Sequence, residues 1–579
     1  MYSYVSSLVK NKHPPIPVLK SGDQIFIEDQ QKAQKFCEYF KSVYNTNTTV
    51  SDEQMPYIDG EIILENITFN REMIKEQLKK CSNKNINGPD GIPGIILKKC
   101  RNIISLPLTY LFNQMISKGE VPKEFLLSHV TPIPKIPNPK NFNDYRPISG
   151  SSDIFKTFER VLKIYILQHL KEINFLPKQQ FGFRNGYSTT KQLISYFEFI
   201  YLKVSSGETI DVIYFDFVKA FDKIPIQKLI SSLKKAGIRG KLLKIITVIL
   251  SNRKFLVKVN STFSNLDDAT SGVPQGSVLG PIYFIIFIAE LSQRLNLHDN
   301  IIHLLFADDL KLLYSYSPKN FENSTLQNAI TDINDWCKEN SMDLSVPKTH
   351  HIQFGKPNEA AIYFIDNNQI IKAENVRDLG VFISKNLSFS QHVDRIVSNA
   401  TKKLFSITKK VITNDRDILI KIFNTYVRPN LEYCSPLFNI PKLKLIKKLE
   451  SPQKKFTWIL YRRIYGFYSK IPSYEERLKL FNMDSLLDRR NVADALIAHD
   501  LVLNHQNDNI ISLHYNDHGK TRAEGNYNYY GKIKKSFLSY HFSSRMAVKL
   551  NNSKIILKDH STDSIRLKLT TNKKKNLIQ

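Results

Sequence analysis

Three carboxylates give this chain its first chemical suggestion. Asp308 and Asp309 stand side by side between two apolar runs, Ile301-Ile-His-Leu-Leu-Phe306 and Leu310-Lys-Leu-Leu-Tyr314. Short runs parted by a polar turn predict a hairpin, with both acids at its tip. Adjacent anions on a tight turn repel. Asp is also a common turn residue, because its side chain bonds its own backbone. A divalent cation would give the pair a purpose, since Mg²⁺ takes one or two carboxylates together with substrate phosphates. Such a site needs a partner acid at another strand end. Ile210-Asp-Val-Ile-Tyr-Phe-Asp216 reads as a strand that ends in one.

The stretch between Asp216 and Asp308 has room for a helix, a hairpin and a second helix before the two strands pair in one sheet. Asp216, Asp308 and Asp309 would then meet at the sheet's edge and hold two Mg²⁺ ions. One ion would lower the pKa of a primer 3′-hydroxyl, and the other would hold a nucleotide's phosphates. The expected reaction is in-line nucleotidyl transfer, driven by positioning and charge neutralisation.

Composition agrees with a polyanionic partner. Over 579 residues, 82 Lys+Arg stand against 54 Asp+Glu, a net charge of +28. With a pI near 9.5, nucleic acid is the simplest partner and a membrane surface the next. The longest apolar run, Pro281 to Ala289, is about half of what a bilayer requires. The five cysteines Cys37, Cys81, Cys100, Cys337 and Cys434 are scattered, without a Cys-x-x-Cys pair, so reduced thiols in the cytosol or nucleus are expected and no zinc site. The N-terminus lacks a secretory pattern.

The elements that must position the acids read as an α+β order of antiparallel hairpins and helices, not a βαβ repeat. Residues 1–60 read as a tether with one amphipathic helix over Gln30 to Tyr44, after the Pro-rich Lys12 to Val18. Val130-Thr-Pro-Ile-Pro-Lys135 reads as an edge strand, because of its prolines. Ala220-Phe-Asp222 opens a helix toward Gly237. Ser188-Thr-Thr190 caps another. A Gly/Pro-punctuated loop, Ser271 to Pro281, runs into an apolar helix from Ile282 to Leu291. Strands are expected at His351 to Phe354 and Arg377 to Ile383. Beyond about 384 the pattern turns helical and basic, with His392 to Lys410 and a Leu443 to Leu460 helix interrupted near Pro452.

Taken together, these motifs resemble one family. Phe306-Ala-Asp-Asp309 resembles the acidic box of reverse transcriptases, and Phe215-Asp-Phe-Val-Lys-Ala-Phe-Asp222 their first metal box. Ser271-Gly-Val-Pro-Gln-Gly-Ser-Val-Leu-Gly-Pro281 resembles the dNTP-and-template loop of non-LTR (LINE-type, jockey-like) retrotransposon polymerases. Asn87 to Pro93, Ile133-Pro-Lys135, Tyr145-Arg-Pro-Ile-Ser149 and Gln180 to Arg184 resemble fingers motifs. Asp335-Trp-Cys-Lys to Lys348-Thr349 and Leu379-Gly-Val381 resemble late palm motifs, and Thr425 to Cys434 a thumb segment. No one motif is specific; their fixed order over roughly residues 1–490 is.

The resemblance implies a right-hand polymerase. Residues 1–60 would be the tether, 61–382 the fingers and palm (core 128–382), 383–500 a helical thumb or connection, and 501–579 a basic C-terminal region. Asp216, Asp308 and Asp309 would be catalytic, with Asp216, Asp308 and the Phe217 carbonyl ligating two Mg²⁺, or Mn²⁺ in its stead. Lys135, Arg146, Phe221, Gln275 and Gly276 would bind the dNTP, Phe221 as a steric gate against the ribose 2′-hydroxyl. Gly272 and Gly276 would let backbone approach the substrate. Lys348 would be a general acid for pyrophosphate, and Leu379, Gly380 and Val381 the primer grip. Lys402, Lys403, Lys409 and Lys410 would follow the template–primer backbone. The implied partners are an RNA template, a DNA primer and dNTPs, with no membrane.

Members of the family usually begin with an endonuclease. This chain opens in what resembles the tether, so either the expected nick comes from an endonuclease in trans or the chain is a truncated copy or a fragment of a longer reading frame. Ala289-Glu290 stands where Asn-Asp is common, and Ser345 where Asn is frequent. Nucleus and cytoplasm are the compartments the resemblance implies. The rival expectations are an inactive retroelement-derived RNA-binding protein and an RNA-dependent RNA polymerase. Phe221 and the Phe-Ala-Asp-Asp box speak against the latter.

Overall fold

The computed structural model describes residues 16–45, 62–83, 88–439, 442–466, 468–504, 514–515, 529–530, 542–543 and 545–546. Residues 1–15, Asn87 of the turn cluster and most of the 501–579 tail lie outside the described residues.

A five-stranded sheet organises the molecule. Its order is Ile371–Lys372, His350–Phe354, Thr209–Phe215, Asp309–Tyr316, Ile301–Phe306. All neighbours are antiparallel except the outermost pair, His350–Phe354 with Ile371–Lys372. The Thr209–Phe215 strand is covered on both faces, which explains its nearly unbroken apolar sequence. Alternation sends Ile213 and Phe215 into one core, and Ile210 and Val212 into the other. Helices Asp153–Glu172, Gly280–Leu295 and Asn323–Glu339 pack on the first face, and Thr189–Ser205 on the second. From Ile282 to Ala289 the helix Gly280–Leu295 is apolar on every side, and that stretch lies inside the first core.

A second sheet joins Tyr145–Gly150, Leu127–Pro134, Lys254–Val259 and Thr262–Phe263. Leu127–Pro134 is an interior strand, not the edge its prolines suggest. Leu127 to Val130 pairs with Lys254–Val259 and His129 to Pro134 with Tyr145–Gly150, so the strand is flanked on both sides at His129 and Val130. Pro132 and Pro134 lie past that point, where only Tyr145–Gly150 is paired and a missing N–H on the open side costs nothing. The described part of the expected tether packs here. Phe36 and Phe40 of helix Asp29–Lys41 join Phe142, Tyr145, Phe255 and Val257 in a separate core.

Three further differences from the sequence expectations have local causes. The helix expected from Ala220 toward Gly237 is two, Ala220–Lys223 and Ile226–Lys235, parted at Pro225. The strand expected over Arg377 to Ile383 is a hairpin, Asn375–Asp378 with Val381–Ser384, folded back at Leu379 and Gly380. The helix Leu443–Tyr465 runs through Pro452 without a break. Pro452 forfeits one backbone bond. Burial of Leu445, Leu449, Phe456 and Leu460 on either side of it holds the helix together. This helix packs on Ser390–Lys410 and on the helical segment from Arg416 to Leu431. No helix among the described residues is long and apolar enough to cross a membrane.

Candidate active site

The hairpin forms as expected. Asp309 pairs with Phe306, which leaves Ala307 and Asp308 as a two-residue turn. Ala307 takes a left-handed conformation, φ 58°, unusual for a residue with a Cβ. Thr209–Phe215 pairs with Asp309–Tyr316 from Leu310 opposite Phe215 onward. Carried one residue further, that register sets Asp216 beside Asp309. The acids of the two segments therefore meet at one end of one sheet.

Their electrostatics agree. Burial raises the Asp308 carboxyl above its ordinary value, and the charge of Asp216 adds to the rise. Asp309 keeps a solvent-facing edge, yet the atoms massed around it strip much of its hydration. Its carboxyl is pushed up to about 7, first by that desolvation, then by Asp308 and Asp378. These are groups that a cation would relieve. At present Asp216 is partnered by Lys348, whose Nζ lies 3.2 Å from Oδ2. Among the described residues no three His, Cys, Asp or Glu side chains form a ready-made ligating cluster. The donor set is all hard oxygen, which fits Mg²⁺ or Mn²⁺. Phe217 lies just beyond, bridged to Leu344.

The loop from Ser271 lies against the segment after Asp216. The Val273 amide donates to the Phe221 carbonyl at 2.7 Å, and the Gly272 amide to Ile224 at 2.7 Å. Gly272 has φ 72°, and a Cβ there would stand 2.5 Å from the carbonyl oxygens of Phe221 and Asp222. Gly276 has φ 115°, and its Cβ would meet the Ser149 carbonyl at 2.6 Å. Both glycines let the loop lie close on the protein's own backbone. The Phe221 ring stacks on Phe284, with centroids 4.3 Å apart, and is half-buried. Gln275 directs its side-chain amide nitrogen at Asp222, and its main-chain carbonyl accepts from the Ser149 amide at 2.7 Å.

Cations gather around this loop. Lys135 donates to the Asn143 carbonyl at 2.8 Å. Burial, then Arg146 and Lys348, draws its ammonium below the usual value. Lys219, which donates to the Tyr39 hydroxyl at 2.8 Å, falls to about 8, through burial and then Lys135. Burial pushes Asp222 up to about 6, against the pull of Gln275, Lys219 and Lys135. Lys135, Arg146 and Lys348 are therefore near one another, beside the acids.

Several supporting residues carry no assignment from the sequence. Gln180 is fully buried. Its Oε1 accepts from the Ala307 amide at 2.9 Å and the Gly182 amide at 2.7 Å, and its Nε2 donates to the Ala307 carbonyl at 3.3 Å. The Phe181 amide donates to Leu305 at 2.8 Å, and the Leu305 amide to Gln179 at 2.9 Å. The Gln180-Phe-Gly-Phe segment is thus docked along the catalytic hairpin and props the strained residue before Asp308. Leu379, Gly380 and Val381 lie at the hairpin of Asn375–Asp378 and Val381–Ser384, joined to the catalytic hairpin through Asp378 and Lys311.

Comparison with known proteins finds relatives for this part of the chain. Residues 134–383 match the family model described as reverse transcriptase (RNA-dependent DNA polymerase). The chain is similar to the probable RNA-directed DNA polymerase from transposon X-element of Drosophila melanogaster, 26% identical over 66% of this chain and 43% of that one. It is 26% identical to the probable RNA-directed DNA polymerase from transposon BS of the same fly, over 68% of this chain and 45% of that one. The RNA-directed DNA polymerase from mobile element jockey of Drosophila funebris is 23% identical over 71% and 45%. The chain spans less than half the length of these relatives.

Proposed function

We propose that this chain, which carries a reverse transcriptase domain over residues 134–383, is an RNA-directed DNA polymerase of a non-LTR retrotransposon. It adds dNTPs to a primer 3′-hydroxyl on an RNA template. The observation that carries this is the meeting of Asp216 with Asp308 and Asp309 at one end of the central sheet. The central sheet is read as the palm. The sheet around Leu127–Pro134, with helix Asp29–Lys41 on it, is read as the fingers, and the helices after Ser390 as the thumb. Lys402, Lys403, Lys409 and Lys410 on helix Ser390–Lys410 are solvent-exposed, as a face following a phosphate backbone requires.

Asp216, Asp308 and the Phe217 carbonyl would hold the two divalent cations, with Asp309 behind them. The cations supply charge neutralisation at the attacking hydroxyl and at the departing pyrophosphate. The chain's own residues do the remaining work. Lys135 and Arg146 grip the triphosphate, Arg146 through paired N–H donors. The Phe221 ring, backed by Phe284, is a rigid wall where a ribose 2′-hydroxyl would stand. Gln275 presents its amide to the incoming nucleotide. Lys348, which pairs with Asp216 at 3.2 Å, would deliver a proton to pyrophosphate. The work is assigned to nucleus and cytoplasm.

Primer extension on an RNA template with dNTPs and Mg²⁺ tests the proposal. Extension by the parent protein and none by Asp308→Ala is expected. RNA binding without extension would instead favour the inactive RNA-binding protein, and equal use of ribonucleotides would favour an RNA-dependent RNA polymerase.

A further inference from the structure

Lys311 and Asp378 form a hydrogen-bonded ion pair with side chains 1% and 4% exposed. Replacing such a pair with apolar groups is often neutral or stabilising, because desolvating two charges offsets their attraction. Stability alone therefore explains it poorly, and its connectivity is more informative. Lys311 is two residues past Asp309 on the same strand, so the two side chains share a face. Asp378 is the last residue before the Leu379-Gly380 turn and pairs with Val381 beyond it. The pair thus ties the strand that starts at Asp309 to the base of that turn. Lys311 also stands 4.9 Å from the Tyr196 ring centroid and 5.7 Å from that of Tyr214. The two tyrosine hydroxyls are bonded at 2.6 Å, so the ammonium sits in a walled slot.

The turn itself is strained. Leu379 has φ 44° and Gly380 φ 86°, the positive pair that a type I′ hairpin turn demands. Asn or Gly takes the first of these positions readily, and Leu does not. Such a conformation persists only where its surroundings impose it. The far side supplies the second constraint. The Tyr433 hydroxyl donates to the Leu379 carbonyl at 2.8 Å and lies 3.1 Å from Thr189 Oγ1. The Tyr433 ring lies across Gly380, where a Cβ would stand 3.3 Å from it. Tyr433 is 45% exposed, much exposure for a ring held by such contacts.

We propose that the Lys311–Asp378 pair and the Tyr433 hydroxyl clamp the Leu379-Gly380 turn from two sides, and so position a primer terminus against Asp308 and Asp309. The inference rests on the polymerase function above, in which Leu379 to Val381 grip the primer. Lys311, Asp378 and Tyr433 are positioning residues; they act through the turn.

Two full-length variants test it. Tyr433→Phe removes one hydroxyl from an exposed ring. The double variant Lys311→Met with Asp378→Leu removes both charges together, so that no unpaired one stays buried. A primer carrying 2-aminopurine at its 3′ end reports whether that end is held. In both variants the expected result is a brighter terminal base and primer–template KM raised about fivefold, the scale of one hydrogen bond, with dNTP KM unchanged. A general loss of structure would move both KM values and the unfolding temperature. Parent-like terminal fluorescence and KM in both variants would overturn the inference while leaving the polymerase reading intact. A parent protein that extends no primer would overturn both.

Discussion

Gln275 holds its side-chain nitrogen 3.0 and 3.1 Å from the two carboxylate oxygens of Asp222. Asp222, an acid that the sequence reading left without a role, thus fixes which way the Gln275 side-chain amide points. With its nitrogen committed, Gln275 has its side-chain carbonyl oxygen left for the nucleotide contact proposed above. Asp222→Asn keeps one acceptor and loses the charge, so dNTP KM should rise several-fold with primer affinity unchanged, in steady-state extension assays. The group also titrates in an observable window. Its folded pKa, about 6, lies above the ordinary 3.8, so the folded chain binds this proton more tightly than the unfolded one. The stability it contributes is complete below pH 4 and is lost as pH rises through 6, by no more than about 3 kcal/mol. Denaturant unfolding of parent and Asp222→Asn from pH 4 to 7 should show a steeper fall in the parent, because Asp309, with its carboxyl at about 7, titrates in both.

Gln180 is the support whose removal should damage chemistry most selectively. Gln180→Leu keeps the bulk and strips the Ala307 N–H and C=O of their partners. A buried donor left unpaired costs about 1–3 kcal/mol, and Ala307 at φ 58° would relax toward an ordinary conformation, taking Asp308 with it. The rate of single-nucleotide incorporation should fall by at least tenfold while RNA binding holds. An unchanged rate in a stably folded variant would show that the turn needs no such prop.

The parts of this site that were legible are those with a local signature. Asp216 ends an apolar run and Asp308–Asp309 interrupts another, so period and punctuation announced both strands, and the pairing of Thr209–Phe215 with Asp309–Tyr316 followed. Long-range partners have no such mark. Nothing near Gln180 indicates a bond to a residue 127 positions away, and Lys311 reads as a stray cation in an apolar strand until Asp378 is beside it. Pro132 and Pro452 misled for a related reason. A proline's cost depends on which neighbour is paired and what is packed around it, and both are tertiary facts.

Gly272→Ala should be far more damaging than a methyl group suggests. The added carbon would stand 2.5 Å from two carbonyl oxygens, on a backbone at φ 72°, so the loop must move off Phe221 and Asp222. A clash with backbone on top of a left-handed conformation costs several kcal/mol, roughly 2–4. Loss of extension and a lowered unfolding midpoint are expected together. Gly186→Ala is the control. It too has positive φ, but open space around the added carbon, and should cost only about 1 kcal/mol.

Cation binding should itself depend on pH, through Asp309. Its carboxyl lies at about 7, raised by desolvation, Asp308 and Asp378. Near pH 6 it is mostly protonated, and above pH 8 it is charged. A divalent ion competes with that proton, so binding should release protons at pH 6.5 and few at pH 8.5. Apparent affinity should climb across the interval. Calorimetry with Mn²⁺ in buffers of different ionisation enthalpy measures the release directly. Asp309→Asn should flatten the pH dependence and weaken binding at high pH, while Asp308→Asn, which removes a ligand, should abolish binding throughout. Equal proton release from parent and Asp309→Asn would assign the titration to another group and remove Asp309 from the cation site.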